Sequence, residues 1–133
     1  MIRHVLAFAA LTTAALTAAS PASAGGGFIN NGQGWTLLSP EAKAAYVQGL
    51  NDTANYIYVN DDLPTAIVKL ARTRCIVEQK TTTAVLADRI TTAYAKDPRL
   101  LSQPPLVIYI MRMGDVCRGI INEERARFSL PPQ

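Results

Sequence analysis

Apolar residues recur along this chain at intervals of three and four, separated by short polar breaks, which predicts a series of amphipathic helices. Ser39-Pro40-Glu41 supplies an N-cap, a proline at the first helical position and an acid in the first turn. Beyond it Ala42, Tyr46, Gly49, Leu50, Thr53, Ala54 and Ile57 share one face, so a first helix is expected to run to about Val59 and to break at Asn60-Asp61-Asp62. A second, residues 64–77, puts Ile67, Leu70, Ala71 and Cys75 inward, and a third, residues 82–95, carries Leu86, Ile90, Ala93 and Tyr94 on one stripe. Asp97-Pro98 stops the third helix and residues 97–103 read as a linker. Gln103-Pro104-Pro105 opens the last helix, whose stripe is Leu106, Ile110, Met113, Cys117, Ile120 and Ile121. Gly114 lies beside that stripe, where a missing side chain would admit a neighbouring helix. Val107-Ile108-Tyr109-Ile110 is locally strand-like, but no second run of that kind exists to pair with it, so the segment is expected to be helical. The expected fold class is all-α, a small single-domain bundle of about four helices.

The N-terminal pattern is different in kind. Met1-Ile2-Arg3-His4 is a short cationic start, residues 5–19 form an uncharged alanine- and leucine-rich run, and Ala22-Ser23-Ala24 supplies small side chains. This is the layout of a signal peptide, residues 1–24, with cleavage after Ala24 and export to the periplasm or the exterior. The run is shorter than the roughly 20 apolar residues of a spanning helix, so no stable membrane anchor is expected. The rest of the chain divides into a flexible N-terminal segment (25–38) that offers Phe28, Ile29 and Trp35 as apolar anchors, a helical domain (39–128) and a frayed tail (129–133).

Cleavage would remove His4, the one histidine. Histidine triads, imidazole proton shuttling and histidine-containing zinc sites are then excluded by composition, and two cysteines cannot build a four-cysteine zinc site. No glycine-rich phosphate loop or serine elbow is present, so no cofactor, metal or catalytic residue is expected. Asp61-Asp62 is an adjacent carboxylate pair, and its place before Leu63-Pro64 suits a helix cap better than catalysis. The 13 basic and 10 acidic residues are interleaved rather than gathered into a basic stripe, which speaks against nucleic acid as a partner. In an exported chain two cysteines read as a structural disulfide, Cys75 to Cys117, since the Cys-x-x-Cys spacing of redox sites is absent.

The order Cys75, Thr83, Leu86, Ile90, Tyr94, Asp97-Pro98, Leu101, Pro104-Pro105, Cys117, with Ala45-Tyr46-Val47-Gln48-Gly49-Leu50 upstream, resembles the Rap/Tai family of type VI secretion amidase immunity proteins. The resemblance implies an all-α exported domain with a Cys75–Cys117 disulfide that blocks a cell-wall amidase by occlusion and brings no chemistry of its own. A protein partner is therefore expected, and a homodimer is compatible with the same reading. Candidate contact residues are Tyr56, Tyr58, Asp61 and Asp62 at the corner after the first helix, and Arg99 and Gln103 in the linker, because loops on a rigid scaffold commonly carry recognition. The bland alternative for the tyrosines is packing against Phe28 or Trp35. The competing function is an envelope stress or chaperone-like helical protein that binds unfolded clients.

Overall fold

A computed structural model describes residues 29–133. The expected signal peptide, residues 1–24, and the segment up to Phe28 lie outside the described residues. Among those described there is no strand; in chain order they form α1 (Gly32–Thr36), α2 (Pro40–Ala54), α3 (Leu63–Glu78), α4 (Thr83–Lys96), a 3-10 helix (Pro98–Ser102) and α5 (Pro105–Arg127). The fold is all-α.

Helix starts obey local chemistry. The Ser39 hydroxyl accepts from the Ala42 N–H at 3.2 Å, the Asp62 carboxylate from the Thr65 N–H at 2.9 Å and the Thr82 hydroxyl from the Val85 N–H at 3.3 Å, each satisfying a donor that a helix N-terminus leaves free. Two of the ends are less conventional. After α3 and after α5 the chain turns through a left-handed residue, Lys80 (φ 49°) and Ser129 (φ 55°), where glycine is the usual occupant. In each case two successive N–H groups return to the last turn: Lys80 to Val77 O and Thr81 to Ile76 O, Ser129 to Ala126 O and Leu130 to Arg125 O.

The helices pack as two pairs, α3 against α5 and α2 against α4, with α4 and α5 in contact across the centre. Trp35, Val47, Ala71, Leu86, Ile90, Tyr94, Ile108, Tyr109, Met113 and Ile121 fill the shared core. Cys75 and Cys117 are bonded within it, with Cα atoms 5.7 Å apart. The segment before α2 is anchored from residue 29 by Trp35, which is fully buried, meets Tyr46 edge-on at 5.9 Å and donates from its indole N–H to the Thr91 hydroxyl at 3.0 Å. Gly32 makes this docking possible. A Cβ there would lie 2.7 to 2.8 Å from Leu101 and Tyr94.

Several expectations shift. Helix α2 ends at Ala54 rather than near Val59; Tyr46, Leu50 and Ala54 pack against the core as expected, but the buried residue is Val47, and Ala42, Gly49, Thr53 and Ile57 are exposed. Leu70 and Leu106 also face solvent, because α3 meets chiefly α5 and so buries only a narrow stripe, while α5 turns Ile108 and Tyr109 inward in place of Leu106. Nothing lies within 4 Å of a Cβ built on Gly114, so it does not admit a neighbouring helix. Residues 97–103 hold the 3-10 helix. The last residues fold back along α5, where Pro131 O accepts from Arg125 Nε at 2.6 Å and the Gln133 N–H reaches the Asn122 side chain at 2.9 Å.

The architecture sets the stability expected of two variants. The bond Cys75–Cys117 closes a sequence separation of 42 residues, and chain-entropy reasoning assigns such a closure about 4 kcal/mol. The double substitution C75A/C117A should lower the unfolding free energy by that order in urea titration. A loss under about 1 kcal/mol would show that the seam is held by packing alone. At Lys80, replacement by glycine relieves the left-handed backbone and should raise stability by up to about 1 kcal/mol, read as a higher urea midpoint with unchanged slope.

Candidate functional site: an exposed apolar corner

Between α2 and α3 the chain crosses from one helix pair to the other, and it does so through Asn55 to Asp62. The α-helix stops at Ala54 for two local reasons. Asn55 is drawn aside by a buried polar network in which the Tyr109 hydroxyl donates to Asn51 Oδ1 at 2.8 Å and Asn55 Nδ2 donates to the same oxygen at 2.9 Å. Tyr56-Ile57-Tyr58-Val59 then combines aromatic and β-branched side chains, which lose rotamer freedom in a helix.

The turn leading into α3 is closed twice. The Asp61 N–H donates to Tyr58 O at 3.1 Å, and the Asp61 carboxylate accepts from the Tyr58 N–H at 2.8 Å. The same carboxylate oxygen pairs with Lys69 Nζ at 2.7 Å, and Lys69 Nζ lies 4.8 Å from the centre of the Tyr58 ring. Tyr56 and Tyr58 meet edge-on at 4.8 Å. They pack on each other, not on Trp35.

This scaffold holds apolar side chains out in solvent. Tyr56 is 61% exposed and Tyr58 46%, Ile57 is half exposed, Val59 at the tip of the turn is fully exposed, and Leu63 opens α3 beside them. Single exposed hydrophobes are ordinary on a folded surface, but five within eight residues on a hydrogen-bonded turn form a patch of the kind that marks an interaction site.

The remaining sequence candidates fall into separate roles. Asp62 caps α3 and is part of the corner only through that cap. Arg99 folds back on Asp97 with two hydrogen bonds of 2.8 Å and is almost wholly exposed, while Gln103 contributes its backbone oxygen to the Tyr94 hydroxyl at 2.9 Å. No hydrogen bond or ion pair among the described residues joins this 3-10 segment to the corner. Burial pushes the Tyr94 phenol up to about 12, so it remains a hydrogen-bond donor at neutral pH. Ile57, Val59 and Leu63 are absent from the sequence candidates; the unbroken apolar run from Tyr56 to Val59 could have pointed to the first two, whereas Leu63 lies beyond Asn60-Asp61-Asp62 and carries no such signal.

In chemical terms the corner is an exposed apolar surface with fixed charges beside it. Asp61 is held below the usual carboxylate range by the Lys69 ammonium and the Tyr58 N–H, and Asp62 by the Thr65 hydrogen bonds. Both are ionised at neutral pH and neither is poised to donate a proton. No group of three His, Cys, Asp or Glu side chains among the described residues is placed to hold a metal ion. A cleft of about 480 Å³ between α4 and α5 sets Asp88 and Asp97 against Arg89, Lys96 and Arg112, and no corner residue lines it.

Because the folded pKa of Asp61 is depressed, its contribution to stability is complete above its unfolded value of about 4 and disappears as pH falls through the folded value. D61N should therefore be less stable than the parent protein near neutral pH, and the difference should close on acidification. Urea midpoints measured at successive pH values check this; a gap of constant size would mean that the carboxylate's charge contributes nothing to the turn.

Against protein-family models, curated proteins and solved structures alike, the chain has no match.

Proposed function

We propose that this chain is an exported, non-catalytic binding protein that engages a protein partner through the Tyr56–Leu63 corner, and that the partner is a peptidoglycan amidase whose cleft the corner occludes. The observation that carries the binding role is the run of exposed apolar residues held by Asp61 and Lys69. Tyrosines with an apolar body and a polar tip are enriched where interfaces are most heavily loaded, and a rigid turn loses little conformational freedom on docking. Support for export comes from the signal-like pattern of residues 1–24. Support for the amidase comes from the short motifs around Tyr46, Asp97-Pro98 and the two cysteines, together with a composition that holds its one histidine inside the predicted signal segment. No helix among the described residues is long and apolar enough to cross a membrane.

The test uses oxidised protein spanning residues 25–133, a panel of secreted cell-wall amidases and a cleavage assay on purified peptidoglycan. One amidase is expected to bind and lose activity. The substitution Y56A/Y58A should weaken that binding by at least about tenfold, the scale of losing two hot-spot aromatics, while leaving the melting temperature close to that of the parent. Inhibition that survives Y56A/Y58A together with V59D would move the interface elsewhere. Binding of unfolded clients without any amidase partner would instead favour a chaperone-like role for the same corner.

A further inference from the structure

A second feature of the surface involves none of the exposed apolar residues of the proposed corner. Arg72, on α3, is partly buried, and among the described residues it makes no hydrogen bond and no ion pair, which sets it apart from its neighbours Lys69, paired with Asp61, and Arg74, clasped by Glu78, Glu123 and Glu124. Its Nε is enclosed without a partner, and so is that of Arg112. Both side chains line one cleft of about 470 Å³ between α3 and α5, together with Arg118, Asp115, Gly114 and Gln133.

We propose that this cleft is a binding site for a doubly charged oxyanion, of the phosphate-monoester or dicarboxylate class, held by Arg72 with Arg112 and Arg118. Three arginines line the cleft with a single acidic side chain, Asp115. Asp115 is shared between Arg112 at 3.3 Å and Arg118 at 3.1 Å, which leaves the side chains facing the cleft with an excess of two positive charges. A guanidinium withdrawn from water without an acid beside it is destabilising, and an arriving oxyanion would offset that cost. The planar fork of arginine matches carboxylate and phosphate oxygens two at a time, so the donors suit the ligand class in geometry as well as charge. Gly114 keeps the site open. A Cβ at that position would meet nothing within 4 Å, so the space beside the arginines is free of protein. Burial also presses the Arg72 guanidinium down from its ordinary value, consistent with a charge lacking a protein partner.

The experiment is calorimetric titration of the oxidised protein with inorganic phosphate and, separately, with succinate, at constant ionic strength set by sodium chloride. Saturable binding of either probe is expected, and which of the two binds more tightly identifies the source of the oxyanion. R72M should weaken binding by at least about tenfold, the loss expected for one charge-assisted contact. It should do so without lowering the melting temperature, since it removes an unpaired charge and breaks no ion pair. G114L, which fills the cleft and alters no charge, should weaken binding as well. The proposal is overturned if neither probe binds with a dissociation constant below about 10 mM, or if R72M and G114L both bind as the parent does. Should R72M fail to fold, G114L alone decides.

Discussion

The seam between α3 and α5 is the constraint on which the rest of this small domain depends. Helix α3 finds its principal packing partner in α5, and the Cys75–Cys117 bond lies inside that contact with both residues buried. A chain of this length has a modest core, so a covalent tie that limits the unfolded ensemble carries a large share of the net stability. Around it the charged residues are arranged in support: Arg74 reaches from α3 to Glu123 and Glu124 on α5, and Arg127 joins the same two acids from the last turn of α5. With α5 placed, Tyr109 can extend its hydroxyl to Asn51 on α2, which links the second helix pair to the first.

That link also decides where the chain becomes exposed. Asn55 is held by the Tyr109 network at one end of the crossing, and Asp61 is held by Lys69 at the other. The residues between stay outside the core, to which Tyr109 and Met113 belong. Their apolar side chains are displayed on a turn closed by the two Tyr58–Asp61 hydrogen bonds. An exposed patch of this sort is a liability for solubility unless something covers it, which is the physical basis for assigning it a partner.

The electrostatic pattern separates two kinds of arginine. Arg74, Arg99, Arg118 and Arg127 each have an acid within hydrogen-bond distance. Arg72 has none, although it sits between two residues of α3 that do. Interleaved charge along the sequence conceals this difference, since a row of basic and acidic residues reads as a solvated surface until the helices are assembled and an arginine without an acid is found facing a cleft with its Nε enclosed.

Much of the fold was legible in the sequence by itself. The caps at Ser39 and Asp62, the prolines at 40, 64 and 105, and the stripe Leu86-Ile90-Ala93-Tyr94 come from local rules that act within one turn of helix, and the two cysteines predicted their own bond. What local rules could not decide was which side of each stripe would be covered, because Val47, Val68 and Ile108 are buried by neighbours distant in sequence while Leu70, Leu106 and Ile57, equally apolar, face water. The helix ends at Lys80 and Ser129 were hidden for a related reason: neither is glycine, and the left-handed turn is imposed by hydrogen bonds to the preceding helix rather than by residue preference. At the corner, the sequence alone identified Tyr56, Tyr58, Asp61 and Asp62 as candidates, but only the tertiary structure separated a capping role for Asp62 from a turn-closing one for Asp61, and joined Lys69 to the latter. Periodicity records what one helix could bury; burial itself is a property of the pairs, and it was settled when α3 met α5 and α2 met α4.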